Sequence, residues 1–179
     1  VRGREMRLAQ ELVLGVGGVR LLDELEITPE VWHLNEGHSA LLQLERLRDA
    51  IASRDVDFAT ALDQIRANTS FTTHTPVPAG IDRFPRDLFE RYFRDFAADL
   101  GVTFDELFAL GSRTDEPDGK FNMAVMGLRL AAHRNGVAAL HGAVARLDVD
   151  TRGRVGHGVW LGHAREASRR PRRRGQGRR

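Results

Sequence analysis

Apolar positions recur at steps of three and four over most of the first hundred residues, and that period is the signature of helices with one buried face. From Arg4 to Leu25 the apolar set is Met6, Leu8, Leu12, Val13, Val16, Val19, Leu22 and Leu25. Gly15, Gly17 and Gly18 interrupt it, so the helix is expected to bend there or to pack closely against a neighbour. Ile27 to Leu34 reads as a short strand, after which Asn35 offers an N-cap. Gly37 to Ile51 reads as a helix through Leu41, Leu44, Leu47 and Ile51, and a second helix follows from a cap at Asp57. Thr69 to His74 is short and rich in β-branched residues, hence a strand. Pro76, Pro78 and Gly80 make Thr75 to Phe84 an irregular loop.

The second half begins with Pro85 at a helix start. Phe89, Tyr92, Phe93, Phe96 and Leu100 share one face of that helix, and Gly101 ends it. Thr103 and Glu106 have the spacing of a capping box for a further helix through Leu110. After a polar loop, Phe121 to Asn135 and Val137 to Val144 both read as helices. Helices alternating with two visible strands predict an α/β layer with a parallel sheet, helix-rich and poor in strands. Two parallel strands are too few to stand alone, which points to part of a larger sheet.

Composition changes this picture in one place. The formal charge of the 179 residues is +2, with 27 Lys plus Arg against 25 Asp plus Glu. Residues 151–179 hold ten arginines against Glu166, a surplus of nine that leaves the preceding residues seven negative. The run RRPRRRGQGRR at Arg169 to Arg179 is expected to be disordered. There is no Cys, which excludes disulfides, thiolate metal sites and a Cys nucleophile. No apolar run approaches the ~20 residues of a membrane span, and no secretory signal is visible. A cytoplasmic protein with no membrane partner is the expectation, and a first residue Val1 rather than Met suggests a fragment.

Two stretches concentrate candidate chemistry at strand ends, where open α/β sheets place their ligands. The first is Val31-Trp32-His33-Leu34-Asn35-Glu36-Gly37-His38-Ser39-Ala40; its other reading is a capped helix start with solvated polar residues. The second is Thr72-Thr73-His74-Thr75-Pro76-Val77-Pro78, in which His74 either hydrogen-bonds a ligand hydroxyl or ties the loop to the backbone. His33, Glu36 and His38 lack the spacing of a zinc helix, so no metal site is expected. Gly15-Val16-Gly17-Gly18 lies within a helical pattern and so fails as a phosphate loop. Ser39, Ser53 and Ser70 lack the context of a nucleophile elbow. The aromatic stripe reads as core. The arginine-rich end supports a second hypothesis, a non-catalytic α/β binding module with a nucleic-acid-binding tail.

Four blocks resemble the α-glucan phosphorylases, the bacterial branch in particular. They are Arg4 to Glu11; Trp32 to Ala40; Phe71 to Gly80 with Asp82 to Pro85; and Phe121 to Ala124 with Asn135 to Val137 and His141-Gly142. Glu36 stands where the muscle-type branch has Asp. The resemblance covers about residues 4–146 and implies part of the N-terminal Rossmann-like domain of a two-domain glycosyltransferase, reaching the interdomain boundary. It implies phosphorolysis of α-1,4-glucan, glycogen or maltodextrin, by inorganic phosphate to glucose 1-phosphate, and it allows a homodimer. It implies pyridoxal 5'-phosphate as cofactor, acting through its phosphate group. By position His74 would be catalytic, touching the glucosyl unit at the bond cleaved, with Asn35, Glu36, His38, Thr75 and Asn135 as substrate contacts. The cofactor lysine of the family has no match here, since Lys120 is the only lysine and lies in a loop. The chain alone is therefore expected to be inactive. Residues 147–179 lose both match and periodicity and read as an unrelated tail, the out-of-frame translation of a GC-rich gene.

Overall fold

The computed structural model describes residues 3–74, 80–113 and 119–137. The expectations for Thr75, the helix at 138–144 and the 147–179 tail lie outside those residues.

The first helical stretch is one continuous rod in three parts. Helix α1 (Arg4–Leu12) passes through a π-type turn at Val13–Gly17 into α2 (Gly18–Glu24). Of the two expected glycine effects the structure shows the close contact, and it adds a local widening of the helix. A Cβ on Gly15 would lie 2.6 Å from the backbone nitrogen of Leu42, so only glycine lets the two backbones approach. After a turn, β1 covers Trp32–Asn35, later and shorter than the strand expected from Ile27. Ile27 instead closes the end of α2, its N–H donating to the Leu22 carbonyl at 2.9 Å.

Asn35 is the last residue of β1 and not a helix cap. The next residue, Glu36, has φ 70° and precedes a 3-10 turn at Gly37–Ser39. Helix α3 (Leu42–Arg54) follows, so the helix expected from Gly37 is split. Helix α4 (Phe58–Ala67) starts as expected, with the Asp57 carboxylate accepting the Thr60 N–H at 2.8 Å. Strand β2 covers Thr69–Thr73.

The loop before Pro85 contains a two-residue strand, β3 (Arg83–Phe84), antiparallel to β4 (Phe121–Asn122). Between them lie α5 (Arg86–Asp99) and α6 (Phe104–Ala109), the second closed by the expected Thr103–Glu106 capping box. The expected helix at Phe121 to Asn135 is corrected in both directions. Only Met123–Arg129 is helical (α7), and His133–Gly136 is a third parallel strand, β5. Asn122 caps α7, accepting the Ala124 and Val125 N–H groups on its side chain at 3.1 Å.

The main sheet has the order β1-β2-β5, all parallel. Leu34 and Phe71, partnered in register, are fully buried. By the two-residue alternation of strands, His33, Asn35, Thr72 and Asn135 belong to the opposite face. Against the apolar face pack Leu8, Leu41, Leu44 and Leu47, all fully buried. Gly127 of α7 meets the Phe71 ring so closely that a Cβ would stand 2.4 Å from it. Of the aromatic stripe, Phe89 and Phe93 are core as expected, with Phe89 stacked on Phe93 and Phe121 at centroid distances of 4.3 and 3.9 Å, whereas Tyr92 is exposed and donates to Glu5. A buried polar knot joins α3 to β2: Arg46 donates to Gln43 Oε1 at 2.6 Å and Thr69 Oγ1 at 2.7 Å, and Gln43 donates to the Leu130 carbonyl at 3.0 Å. With no carboxylate among those partners, burial pushes Arg46 down to about 10.

Candidate functional site at the strand ends

The carboxyl ends of the three parallel strands stand side by side, with Asn35, Thr72 and Asn135 in register across the sheet. Beyond this line β1 and β2 are held together by Glu36. Its backbone N–H donates to the Thr72 carbonyl at 2.9 Å, extending the ladder by one residue. Its carboxylate accepts the His74 N–H and, at 3.4 Å, the Thr73 hydroxyl. A left-handed backbone on a non-glycine residue is costly and persists only where surrounding contacts enforce it. Here those contacts fix the exit of β2 and thereby the base of the exposed His74 side chain.

The turn that carries half-buried His38 is pressed against the start of α7. A Cβ on Gly37 would fall 2.8 Å from the Ala124 nitrogen. The Met123 N–H donates to the Asp82 carbonyl at 3.1 Å, which brings the β3 approach beside the same turn. The Asp82 carboxylate accepts from Arg7 Nη2 at 2.8 Å and Nε at 3.2 Å. Burial raises the Asp82 carboxyl, but the hydrogen bonds from Arg7 and Glu11 outweigh burial and, with the nearby charges of Arg7 and His38, hold it below its ordinary value. The Asp82 partner in turn raises Arg7.

Glu11, one helical turn from Arg7, is the third member. It is 1% exposed, and burial, with Asp82 beside it, pushes its carboxyl up to about 9. Arg7 Nε lies 3.0 Å from Glu11 Oε1, yet neither Glu11 oxygen receives a well-directed hydrogen bond. Arg7 thus lies against both carboxylates, and burial separates them: Asp82 is held below its ordinary value, while Glu11 is pushed toward its neutral form.

Of the sequence candidates, the structure joins Glu36 directly to His74 and sets Asn35 and Asn135 on one register line. His38 lies on the neighbouring turn. Asn135 sits on a strand and not at a helix end, with its Oδ1 accepting the Thr72 hydroxyl at 2.8 Å. Thr72 lies in the second candidate stretch without a role of its own, and Arg7, Glu11 and Asp82 carry no signal in the sequence that would place them in this cluster. Arg7 and Glu11 at i and i+4 look like an ordinary helix-surface pair, and only the distant Asp82 reveals otherwise. Among the described residues no three His, Asp or Glu side chains converge on a metal position. No helix there is long and apolar enough to cross a membrane.

Chemically the cluster offers hydrogen-bond donors and acceptors in a partly dry setting. That is the equipment for reading a polyhydroxylated ligand, whose hydroxyls must be paired when buried. Lys120 precedes β4, whose partner is β3, so the one amine able to anchor an aldehyde cofactor is not on the parallel-strand edge. The described residues do not fit a pyridoxal phosphate cradle.

Fold and strand-end cluster together define part of an α/β protein with a hydrogen-bonded polar cluster at the carboxyl edge of a parallel sheet. No protein-family model matches the chain. Glycogen phosphorylase of Mycobacterium tuberculosis is 48% identical over 154 residues, which is 80% of this chain and 18% of that protein. Maltodextrin phosphorylase of Thermococcus litoralis is 40% identical over 79% of this chain and 16% of its own length. Glycogen phosphorylase of Aquifex aeolicus is 30% identical over 81% and 21%. The chain is a partial member of the α-glucan phosphorylase family, and it spans about a fifth of the length of these relatives.

Proposed function

We propose that this chain is part of the N-terminal Rossmann-like domain of an α-1,4-glucan phosphorylase and forms one wall of the pocket for the glucosyl unit. The observation that carries the reading is the Glu36–His74 bond at the strand ends, within a sequence 48% identical to a glycogen phosphorylase. In this reading His74 touches the glucosyl unit at the bond being cleaved. Its position is set before substrate arrives, because Glu36 holds its main chain; groups fixed in advance need no reorganisation during reaction. Asn35, Glu36, His38, Thr75 and Asn135 pair sugar hydroxyls.

Inorganic phosphate and a glucan, glycogen or maltodextrin, are the substrates. Pyridoxal phosphate supplies an acid–base phosphate group when bound, held by parts of the enzyme other than the residues described here. The chain alone is inactive. Residues 147–179 are a tail unrelated to the family.

The test is titration of the 179-residue chain with maltoheptaose by calorimetry, followed by a glucose 1-phosphate assay with phosphate and added cofactor. We expect binding, its weakening by about tenfold or more in His74→Ala, the loss of one or more hydrogen bonds, and no product. Equal affinity of wild type and His74→Ala would sink the site assignment, and product formation would sink the inactivity.

A further inference from the structure

A chain of side-chain hydrogen bonds crosses the face of the sheet opposite Leu34 and Phe71, from its first strand to its last. His33 Nε2 on β1 lies 2.7 Å from Thr72 Oγ1 on β2, and Thr72 Oγ1 lies 2.8 Å from Asn135 Oδ1 on β5. The register makes this possible: Thr72 is paired with both Asn35 and Asn135, and His33 is two residues before Asn35 on the same face.

We propose that His33 is a positioning residue which, through Thr72, holds the Asn135 amide with its nitrogen turned outward, so that this position recognises hydroxyl oxygens as acceptors. The inference rests on the reading above that Asn135 faces the sugar.

Proton counting carries it. A threonine hydroxyl owns one proton and can accept with its lone pairs. Thr72 gives that proton to Asn135 Oδ1. Its contact with His33 must then be one in which Thr72 accepts, so Nε2 of His33 carries a hydrogen. Turning the Asn135 amide over would place an NH2 against Thr72. The hydroxyl proton would then be released from Asn135, and Nε2 could be bare and accept it. The observed facing of Asn135 therefore requires a hydrogen on Nε2 of His33, and a bare Nε2 would compete with Asn135 Oδ1 for the one hydroxyl proton. With Oδ1 engaged, Asn135 Nδ2 keeps, among the described residues, only a contact of 3.5 Å to the neighbouring Gly136 carbonyl, at the outer limit of hydrogen bonding. Its donors remain for a ligand. Thr72 is only 5% exposed, so water competes weakly for the middle of the chain.

The experiment uses the 179-residue chain and two independent readouts. Long-range nitrogen–proton NMR reports the tautomer of His33 directly in the wild type, whatever any variant does. Calorimetric titration with maltoheptaose reports the consequence for Asn135. We expect Nε2 to be protonated. Thr72→Val and His33→Phe should each weaken maltoheptaose about tenfold, as for one misplaced hydrogen bond. His33→Gln, which restores an N–H donor, should recover most of the affinity; a purely structural role would show no such recovery. A bare Nε2 in the wild type overturns the proposal, as does wild-type affinity in both Thr72→Val and His33→Phe. Should the wild type show a protonated Nε2 but no affinity for maltoheptaose, the relay stands and the assignment of Asn135 to the sugar fails.

Discussion

A carboxyl group that keeps its proton near neutrality makes stability depend on alkali, and Glu11 is such a group. Its value of about 9 lies above the 4.5 of an ordinary glutamate, with burial the main cause. The folded chain therefore binds a proton that the unfolded chain has lost, and the stabilisation is complete below the unfolded value. It declines as pH rises, by about 1.4 kcal/mol per unit where the difference is one full proton, and it is gone once pH passes about 9. Glu11→Gln carries a permanent neutral amide in the same place. We expect it to match wild type near pH 5, to exceed it at pH 9, and to flatten the slope between. Urea unfolding at several pH values measures this. A wild-type slope retained in Glu11→Gln would assign the dependence to another group. Asp82 works in the opposite sense, its lowered value adding stability that is lost in acid.

At the scale of elements, two glycines decide how closely the pieces meet. Gly15 lets the first helical rod touch the start of α3, and Gly37 lets the turn carrying Glu36 and His38 touch α7. In Gly37→Ala backbone must move away from backbone, which overpacking studies place at about 1–3 kcal/mol. We expect a lower melting temperature together with weaker maltoheptaose binding, because the displaced turn carries Glu36. An unchanged melting temperature would show that the turn yields without strain. The helices were legible in the sequence because their caps and periods are local: Asp57, Thr103 with Glu106, and Gly101 each act within a few residues. Strand β5 was not legible. His133 to Gly136 has little β-branched content and follows a helical pattern, and it becomes a strand by pairing with β2 sixty residues away, tertiary contact overriding propensity. The same limit governed the candidate site. Its members were visible as polar residues at strand ends, but their partners Thr72, Glu11 and Asp82 are defined by contacts that sequence spacing does not express.

For the molecule as a whole, the described residues leave apolar surface uncovered. Leu14, Leu21 and Leu25 on the first rod are 52, 59 and 58% exposed, and Val13 and Ile27 flank them. Such a concentration on one rod favours association through that surface. We expect the purified chain to self-associate with rising concentration, and the double substitution Leu21→Glu, Leu25→Glu to reduce this without lowering the melting temperature. Light scattering decides it; equal association in the variant would move the responsible surface elsewhere.

The three strand ends that bear the site also set when it can exist. Asn35, Thr72 and Asn135 come from three distant stretches, and the contact from Thr72 to Asn135 alone closes a span of 63 residues. Closing long loops precedes the contacts that reward it, so sheets joined this way assemble late and slowly. During synthesis the helices from α1 to α4 can form while the site is still open. The pocket wall is completed only when His133 to Gly136 has emerged and docked on β2.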